Sequence, residues 1–456
     1  MAMSDRLTLV LRYADVGIAT YGSLRIIGQP SRTVTWVVEE PLLLAAIEEL
    51  TDAIPEPHDS ESRRDAIERA LATGPFANPD TELTVAYILG VLLISTPGWQ
   101  LLNECVSSPR AALFVAPSAR LARVPWGLLA VPKSGPSKEE LVRARQDAIT
   151  SSGRVAARIP WQLANIGDHT DGHRLMELVD VLMAVPANIV HAPRTPARWE
   201  ARRDGPPVLV LDPRVPGQRP DSALGSVLGR PSAETPLARH FAELMGERAV
   251  LPGVDGAVEL FRRPDADRAW LAGLLARAPS RLLYVGHASS ADAQHDHAAQ
   301  ADRAALHLAC TAAAYGDADT IGDHRPLTAS DLMALRLPIP PRVALLACGS
   351  GGDYRFDEAT GLVAAMILGG AQLVTATLWS LPTTAAYRQF AADDVDANDP
   401  MSDVVVAVDR AHQADEAGRA VNRWQRERMR SWRDGDLSAN PLYWAALVTF
   451  AVDGAR

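Results

Sequence analysis

Two stretches decide the fold: Leu282-Leu283-Tyr284-Val285-Gly286-His287-Ala288 and, farther along, Val343-Ala344-Leu345-Leu346-Ala347-Cys348-Gly349-Ser350-Gly351-Gly352. Each opens as a continuous apolar run rich in strand-forming residues and stops at small, flexible ones. That is the pattern of a fully buried parallel strand ending in a loop at its carboxyl edge. In open α/β sheets, ligands and chemistry collect outside those carboxyl ends. One strand brings a histidine there and the other a cysteine, which makes His287 and Cys348 a candidate base and nucleophile.

The chemistry needs both residue types. A thiol titrates near ~8.5, so an unassisted cysteine is mostly protonated near neutrality, and a neighbouring imidazole can take its proton. Glycines beside both residues let a backbone approach closely and aim N–H groups at a substrate oxygen. Taken alone, a cysteine after an apolar strand is usually a small buried hydrophobe, and a histidine there a satisfied loop residue. Two such residues on two strand ends separated by a crossover favour the dyad.

Around this pair the second part of the chain alternates strand and helix. Strands are expected at 208–211, 282–286, 343–347 and 373–379, with helices at about 235–246, 265–277, 328–335 and 359–370. Such alternation gives an α/β fold with a parallel sheet covered by helices. Earlier, residues 1–75 carry strand-like Leu7–Leu11 and Thr33–Val38, then a helix at about Pro41–Ala53 and the polar breaker Pro55–Ser60. These read as a small β-rich accessory element. No repeat of solenoid period appears.

Several ordered motifs make the chain resemble the CHAT domains, caspase-like cysteine peptidases related to separases and caspases. Leu113-Phe114-Val115-Ala116-Pro117 with Leu121–Leu129 is similar to that family's early strand and "LPF" segment, and Val190-His191-Ala192-Pro193 to its "YAPS" stretch. Val208–Pro213 resembles the first strand of the catalytic half. Tyr284–Ala288 resembles the "GHG" histidine loop, and Leu346–Gly351 the "SAC" cysteine loop. Asp357-Glu358 with Gly361–Ala371, the strand Val374–Trp379 and a closing strand at Asn440–Ala446 complete the series. The chain departs from the pattern at Ala288, Gly349 and Leu346, which leaves the dyad intact and bears on cleavage preference.

The resemblance implies a caspase-like parallel sheet flanked by helices at 206–456. It would be preceded by a degenerate half without catalytic residues at 76–205 and by the accessory element at 1–75. It implies a cysteine endopeptidase with His287 and Cys348 catalytic, the N–H groups of Ala288 and Cys348 forming the oxyanion hole, and no cofactor or metal. The pocket for the residue before the cut would be lined by loops carrying Asp212, Arg214, Asp353 and Asp357, whose acids suit a basic side chain. Asp357 and Glu358 also read as caps of the following helix. The rival reading is a catalytically silent interaction module using the same sheet edge. The implied partners are a protein substrate encoded nearby and a regulatory partner, in bacterial defence or regulated cell death. Residues 1–75 serve that role as a docking or gating element, or simply complete the core of the first half.

Composition fits a globular chain of about three domains at ~150 residues each, with 47% hydrophobic and 22% charged residues over 456 positions. A net charge of −10 argues against general nucleic-acid binding. Cys105, Cys310 and Cys348 are too few and scattered for a disulfide framework or zinc site. Met1–Arg12 has no apolar core of signal-peptide length, and the apolar run Leu83–Ile94 is too short to span a bilayer, so a cytoplasmic location is expected. Apart from Lys133 and Lys138 every basic side chain of this type is Arg, which points to a GC-rich, bacterial genome. His295 and His297 sit in a polar loop without a clear third ligand. His307 and Cys310 are expected on opposite faces of an edge strand. The basic tract Arg419–Arg433, with Trp424 and Trp432, reads as a helix packed by its indoles.

Overall fold

A computed structural model of the chain describes residues 7–58, 60–108, 110–151, 163, 165–219, 222, 224–289, 301–352, 361–391 and 399–456. Two units emerge. The first comprises Met1–Ala184, Gln389–Asp396 and Asn422–Ala446, the second Val185–Arg388, Ala397–Val421 and Leu447–Arg456. The boundary expected at 205/206 therefore falls inside the second unit.

In the first unit, strand β1 (Thr8–Val16) alternates inward and outward residues, with Leu9, Leu11 and Tyr13 buried. It forms an antiparallel meander with β2 (Ala19–Ile26) and β3 (Gln29–Glu39). Gly17 and Gly28 lie at the two hairpin turns with φ of 59° and 83°, a region that costs glycine little. On its other side β1 pairs in parallel with β4 (Ala112–Ala116), and β4 with β5 (Asp180–Met183), giving the order β3-β2-β1-β4-β5. The amino-terminal stretch thus supplies three of the strands of this unit's sheet, and the buried Leu9 and Leu11 belong to its core.

The apolar run from Leu83 lies in the helix Pro79–Leu93, most of whose residues are buried. Among the described residues no single helix is long and apolar enough to cross a membrane. The basic tract forms the helix Ala417–Arg433. Past Val421 it is tied down residue by residue. Asn422 brackets the Val181 backbone, donating to its carbonyl at 3.0 Å and accepting from its N–H at 2.8 Å. Arg426 meets Asp180 at 2.8 Å, Arg430 and Arg433 reach Glu177, and Trp432 is buried. The charges of Arg426, Arg430 and Arg433 serve to dock it.

The second unit contains strands β6 (Val208–Leu211), β7 (Arg281–Val285), β11 (Arg342–Leu346), β12 (Leu373–Thr377) and β13 (Leu447–Ala451) in the order β13-β12-β11-β7-β6. The pairings β6/β7, β7/β11 and β11/β12 are parallel, and β12/β13 is antiparallel. All residues of these strands are buried, which is why they read as largely apolar runs rather than alternating ones. Helices Pro236–Glu247, Arg268–Leu275, Ala329–Leu335 and Leu362–Leu368 lie between the parallel strands in sequence, so the fold is α/β with a mostly parallel sheet. A small three-stranded sheet of β8 (Ala288–Ser289), β9 (Ala305–Leu306) and β10 (Leu327–Thr328) follows the histidine. One expected strand is corrected. Asn440–Ala446 holds a helical turn, Pro441–Trp444, because Asn440 caps the Leu442 N–H at 2.9 Å and proline occupies its first position. The strand begins at Leu447.

The amino end of β7 carries a buried charge network. Arg281 donates twice to Asp409 on the helix Pro400–Ala411, at 3.1 and 2.9 Å, and His240 lies 3.0 Å from the same carboxylate. Burial alone would raise the Asp409 carboxyl, but Arg281 and His240 offset this and hold it below its ordinary range. Replacing Asp409 with Asn leaves the Arg281 charge buried without its counterion. The variant is expected to lose about 3–5 kcal/mol in urea unfolding. A change below about 1 kcal/mol would show that the network is dispensable.

Candidate active site

Register places the two candidate residues. In the β7/β11 pairing Val285 sits opposite Leu346, and the Gly286 N–H donates to the Leu346 carbonyl at 3.3 Å. His287 lies two residues beyond Val285 and Cys348 two beyond Leu346, so both leave neighbouring strands at the same level of the sheet edge. His287 is buried and Cys348 half-buried. Cys105 and Cys310 are buried, and burial pushes the Cys105 thiol up.

The imidazole is oriented by a backbone carbonyl. His287 Nε2 lies 3.1 Å from the Gly225 oxygen, which can only accept, so Nε2 carries the proton. A neutral ring then presents Nδ1 as its proton acceptor. Arg262 Nη1 also donates to the Gly225 oxygen at 2.9 Å, which fixes the carbonyl's direction.

Asp212, at the carboxyl end of β6, builds this loop. Its φ is 51°, a left-handed conformation that aspartate tolerates better than most residues. Its carboxylate accepts from Ser226 Oγ at 2.6 Å, from the Val227 N–H at 3.2 Å and from Arg262 at 3.3 Å. At 1% exposure and with these partners, Asp212 folds residues 225–228 against the histidine, and its carboxylate presents no open face to a basic substrate side chain. Asp353 and Asp357 lie outside the described residues, as do His295 and His297.

Tyr284 braces the histidine loop from within the strand. Its hydroxyl is 2.7 Å from the His287 carbonyl and 3.0 Å from that of His307. Burial drives its phenol well above the ordinary value, so it stays protonated and able to donate. Gly286 is required beside it, because a Cβ there would come within 2.9 Å of the Tyr284 oxygen. Ala288 pairs with Leu306, and the adjacent His307 N–H donates to the His287 carbonyl at 3.1 Å. That alternation makes Ala288 a non-hydrogen-bonded position, so its N–H points away from β9, at the outer edge of the small sheet.

The cysteine loop is stitched to β12. Ser350 Oγ donates to the Leu345 carbonyl at 2.6 Å and accepts from the Thr377 N–H at 3.2 Å. The Gly351 N–H donates to the Thr377 carbonyl at 2.9 Å, and Thr377 Oγ1 donates to the Ala347 carbonyl. Gly349, with φ of 58°, makes the sharp turn after Cys348.

Behind the site, His307 and His324 form a buried pair. His324 Nδ1 lies 2.8 Å from the Cys310 carbonyl and therefore donates; its Nε2 must then accept from His307 Nδ1 at 3.1 Å. This leaves His307 Nε2 as a buried acceptor without a partner among the described residues. Burial, then His324 and His287, push the His307 ring down to about 3, and burial lowers His324 as well. The sequence offered no cue to this pairing, since His324 sits among polar residues far from His307 in the chain.

A model of the CHAT domain matches residues 92–452, and the chain belongs to the CHAT domain family. No curated protein sequence matches it. Among solved structures it is similar to two crystal structures of the Saccharomyces cerevisiae separase–securin complex. One shares 10% identity with a TM-score of 0.35 and the other 11% with 0.33. In both the match covers 98% of this chain but 30% of that chain, so this chain spans less than a third of their length.

Two outcomes follow. Tyr284→Phe keeps the ring and removes the brace on the His287 carbonyl. Alkylation of Cys348 by iodoacetamide is expected to slow about tenfold, with under about 1.5 kcal/mol lost in unfolding; an unchanged alkylation rate would remove Tyr284 from the site. Acid should destabilise the fold through its buried neutral histidines. The folded values of His307 and His412 are about 3, each through burial first, and an unfolded histidine titrates near 6.5. The unfolded chain therefore binds more protons between these limits, and stability present above pH 6.5 is lost as pH falls toward about 3. His412→Gln should flatten the pH slope of unfolding free energy by up to about 1.4 kcal/mol per pH unit; an identical slope would contradict this.

Proposed function

We propose that the protein is a cysteine endopeptidase in which Cys348 attacks the scissile carbonyl of a protein substrate. His287 Nδ1 takes the thiol proton, and the thiolate adds to the carbonyl carbon. The same nitrogen then returns the proton to the leaving amine, and water hydrolyses the resulting thioester. The observation that carries this reading is the matched departure of His287 and Cys348 from paired strands, with His287 Nε2 committed to the Gly225 carbonyl. The Ala288 N–H, turned away from its ladder, and the Cys348 N–H supply the oxyanion hole, each donor contributing on the order of 10²–10³ in rate. Membership in the CHAT domain family supports the same chemistry. The setting that goes with it is a bacterial one, with the substrate encoded near this gene and cleaved in defence or regulated cell death.

The test separates chemistry from a silent module. Cys348→Ala and His287→Ala are each expected to abolish cleavage of a peptide library and of proteins encoded nearby, with folding intact by circular dichroism. Cleavage that survives either substitution would exclude the dyad. In the wild type, Cys348 should be alkylated far faster than Cys105 and Cys310, because thiolate fraction and exposure govern that rate. Equal, slow labelling of all three would point to a binding module instead.

A further inference from the structure

A cavity of about 480 Å³ opens beside the loop whose Gly225 carbonyl meets His287. Its walls include Ser226 and Val227 from that loop, the start of the helix Pro236–Glu247, and Thr384 and Arg388 from the helix Thr384–Phe390. Three cations line it: Arg230, Arg239 and Arg388. All three are exposed, and among the described residues none is in an ion pair or a hydrogen bond from its side chain. Elsewhere in this unit Arg262 pairs with Asp212 and Arg281 with Asp409. Of the two acids on the wall, Asp399 already accepts from Ser402 N–H and from the hydroxyls of Thr384 and Ser402. Glu234 is the other acid, exposed on the rim, so three arginines face one free carboxylate around this concavity in a chain of net charge −10.

We propose that this cavity binds a compact, multiply charged anion, phosphoryl or carboxylate, and that its occupancy adjusts His287 through the Gly225–Ser226 peptide. Arginine forks suit such groups because their donors match the oxygens in pairs. A single exposed pair is worth little, so several arginines converging on one ligand are needed for useful affinity. The amino end of the twelve-residue helix Pro236–Glu247 adds its positive dipole end to the same wall. The coupling is short. Ser226 faces the cavity and is bonded to Asp212, while the carbonyl of the preceding residue, Gly225, receives the imidazole N–H. A shift of this loop therefore reaches the catalytic ring through one peptide unit.

This inference rests on the proposed dyad but is read without peptide cleavage. The full chain and its Arg230→Gln, Arg239→Gln, Arg388→Gln triple variant are titrated with pyrophosphate and, separately, with a hexaglutamate peptide at constant ionic strength. Binding is followed by calorimetry, and alkylation of Cys348, Cys105 and Cys310 by mass spectrometry. At least one probe should bind the wild type about tenfold more tightly than the variant, and should change Cys348 alkylation about fivefold or more without moving the other two cysteines. A response to pyrophosphate alone assigns a phosphoryl ligand, and a response to the peptide alone a carboxylate one. Equal binding to both proteins, no binding of either probe, or binding that leaves Cys348 alkylation unchanged overturns the proposal. Parallel cleavage assays keep the two ideas apart: an inactive wild type that still shows the arginine-dependent effect sinks the endopeptidase and leaves the anion site standing.

Discussion

Everything at this sheet edge depends on the parallel pairing of β7 with β11, in which Val285 faces Leu346. Parallel strands carry evenly spaced bonds, so residues equally far beyond a paired position emerge at the same height. His287 and Cys348 meet that condition. A slip of one residue would turn the slipped strand's side chains to the other face of the sheet and separate the pair. The register is held because all five residues of each strand are buried, which makes any slipped arrangement costly in packed apolar area.

Strands fix height; the direction of each side chain needs further support, and it comes from polar groups otherwise expensive to bury. The histidine side uses carbonyl oxygens: Gly225 receives the ring N–H, and Tyr284 donates to the His287 carbonyl itself. The cysteine side uses hydroxyls, Ser350 and Thr377, that tie the loop into β12. Each of these bonds contributes modestly to stability, about 1 kcal/mol, yet together they leave the two loops few alternative conformations.

Much of this was legible in the sequence because burial and backbone flexibility leave marks on composition. The strands β6, β7, β11 and β12 announce themselves as apolar runs ending in Gly, Asp or polar residues, and His287 and Cys348 fall just past two of those ends. What stayed hidden depends on partners far away in the chain. Tyr284 reads as one more buried strand residue, since nothing local says that its hydroxyl turns toward two carbonyls. Asp212 looks like an acid on offer to a substrate; its left-handed backbone and its bonds to Ser226, Val227 and Arg262 appear only in three dimensions. Asn440–Ala446 carries aromatic residues that suit a strand, but the Asn cap and proline win locally and form a helical turn first. Strand β2 escaped notice because Ala19–Ile26, rich in small and polar residues, lacks a strong apolar alternation even though it pairs along most of β1.

The two halves of the site differ in what holds them, and that difference decides where the site can be adjusted. Ser350 and Thr377 fasten the cysteine loop to the carboxyl end of a fully buried strand, so moving Cys348 means disturbing the sheet. The histidine's orientation instead rests on the Gly225 carbonyl, part of a loop anchored by one aspartate and bordered by a cavity. Loops of this kind open at lower free energy than core strands. Because the tautomer of His287 is set by that single carbonyl, displacing it would release Nε2 and remove the reason for Nδ1 to be the basic nitrogen. Cys348 would then stay in place while the His287 ring turned. The fold thus holds the Cys348 loop firmly and leaves the His287 ring the more adjustable of the two.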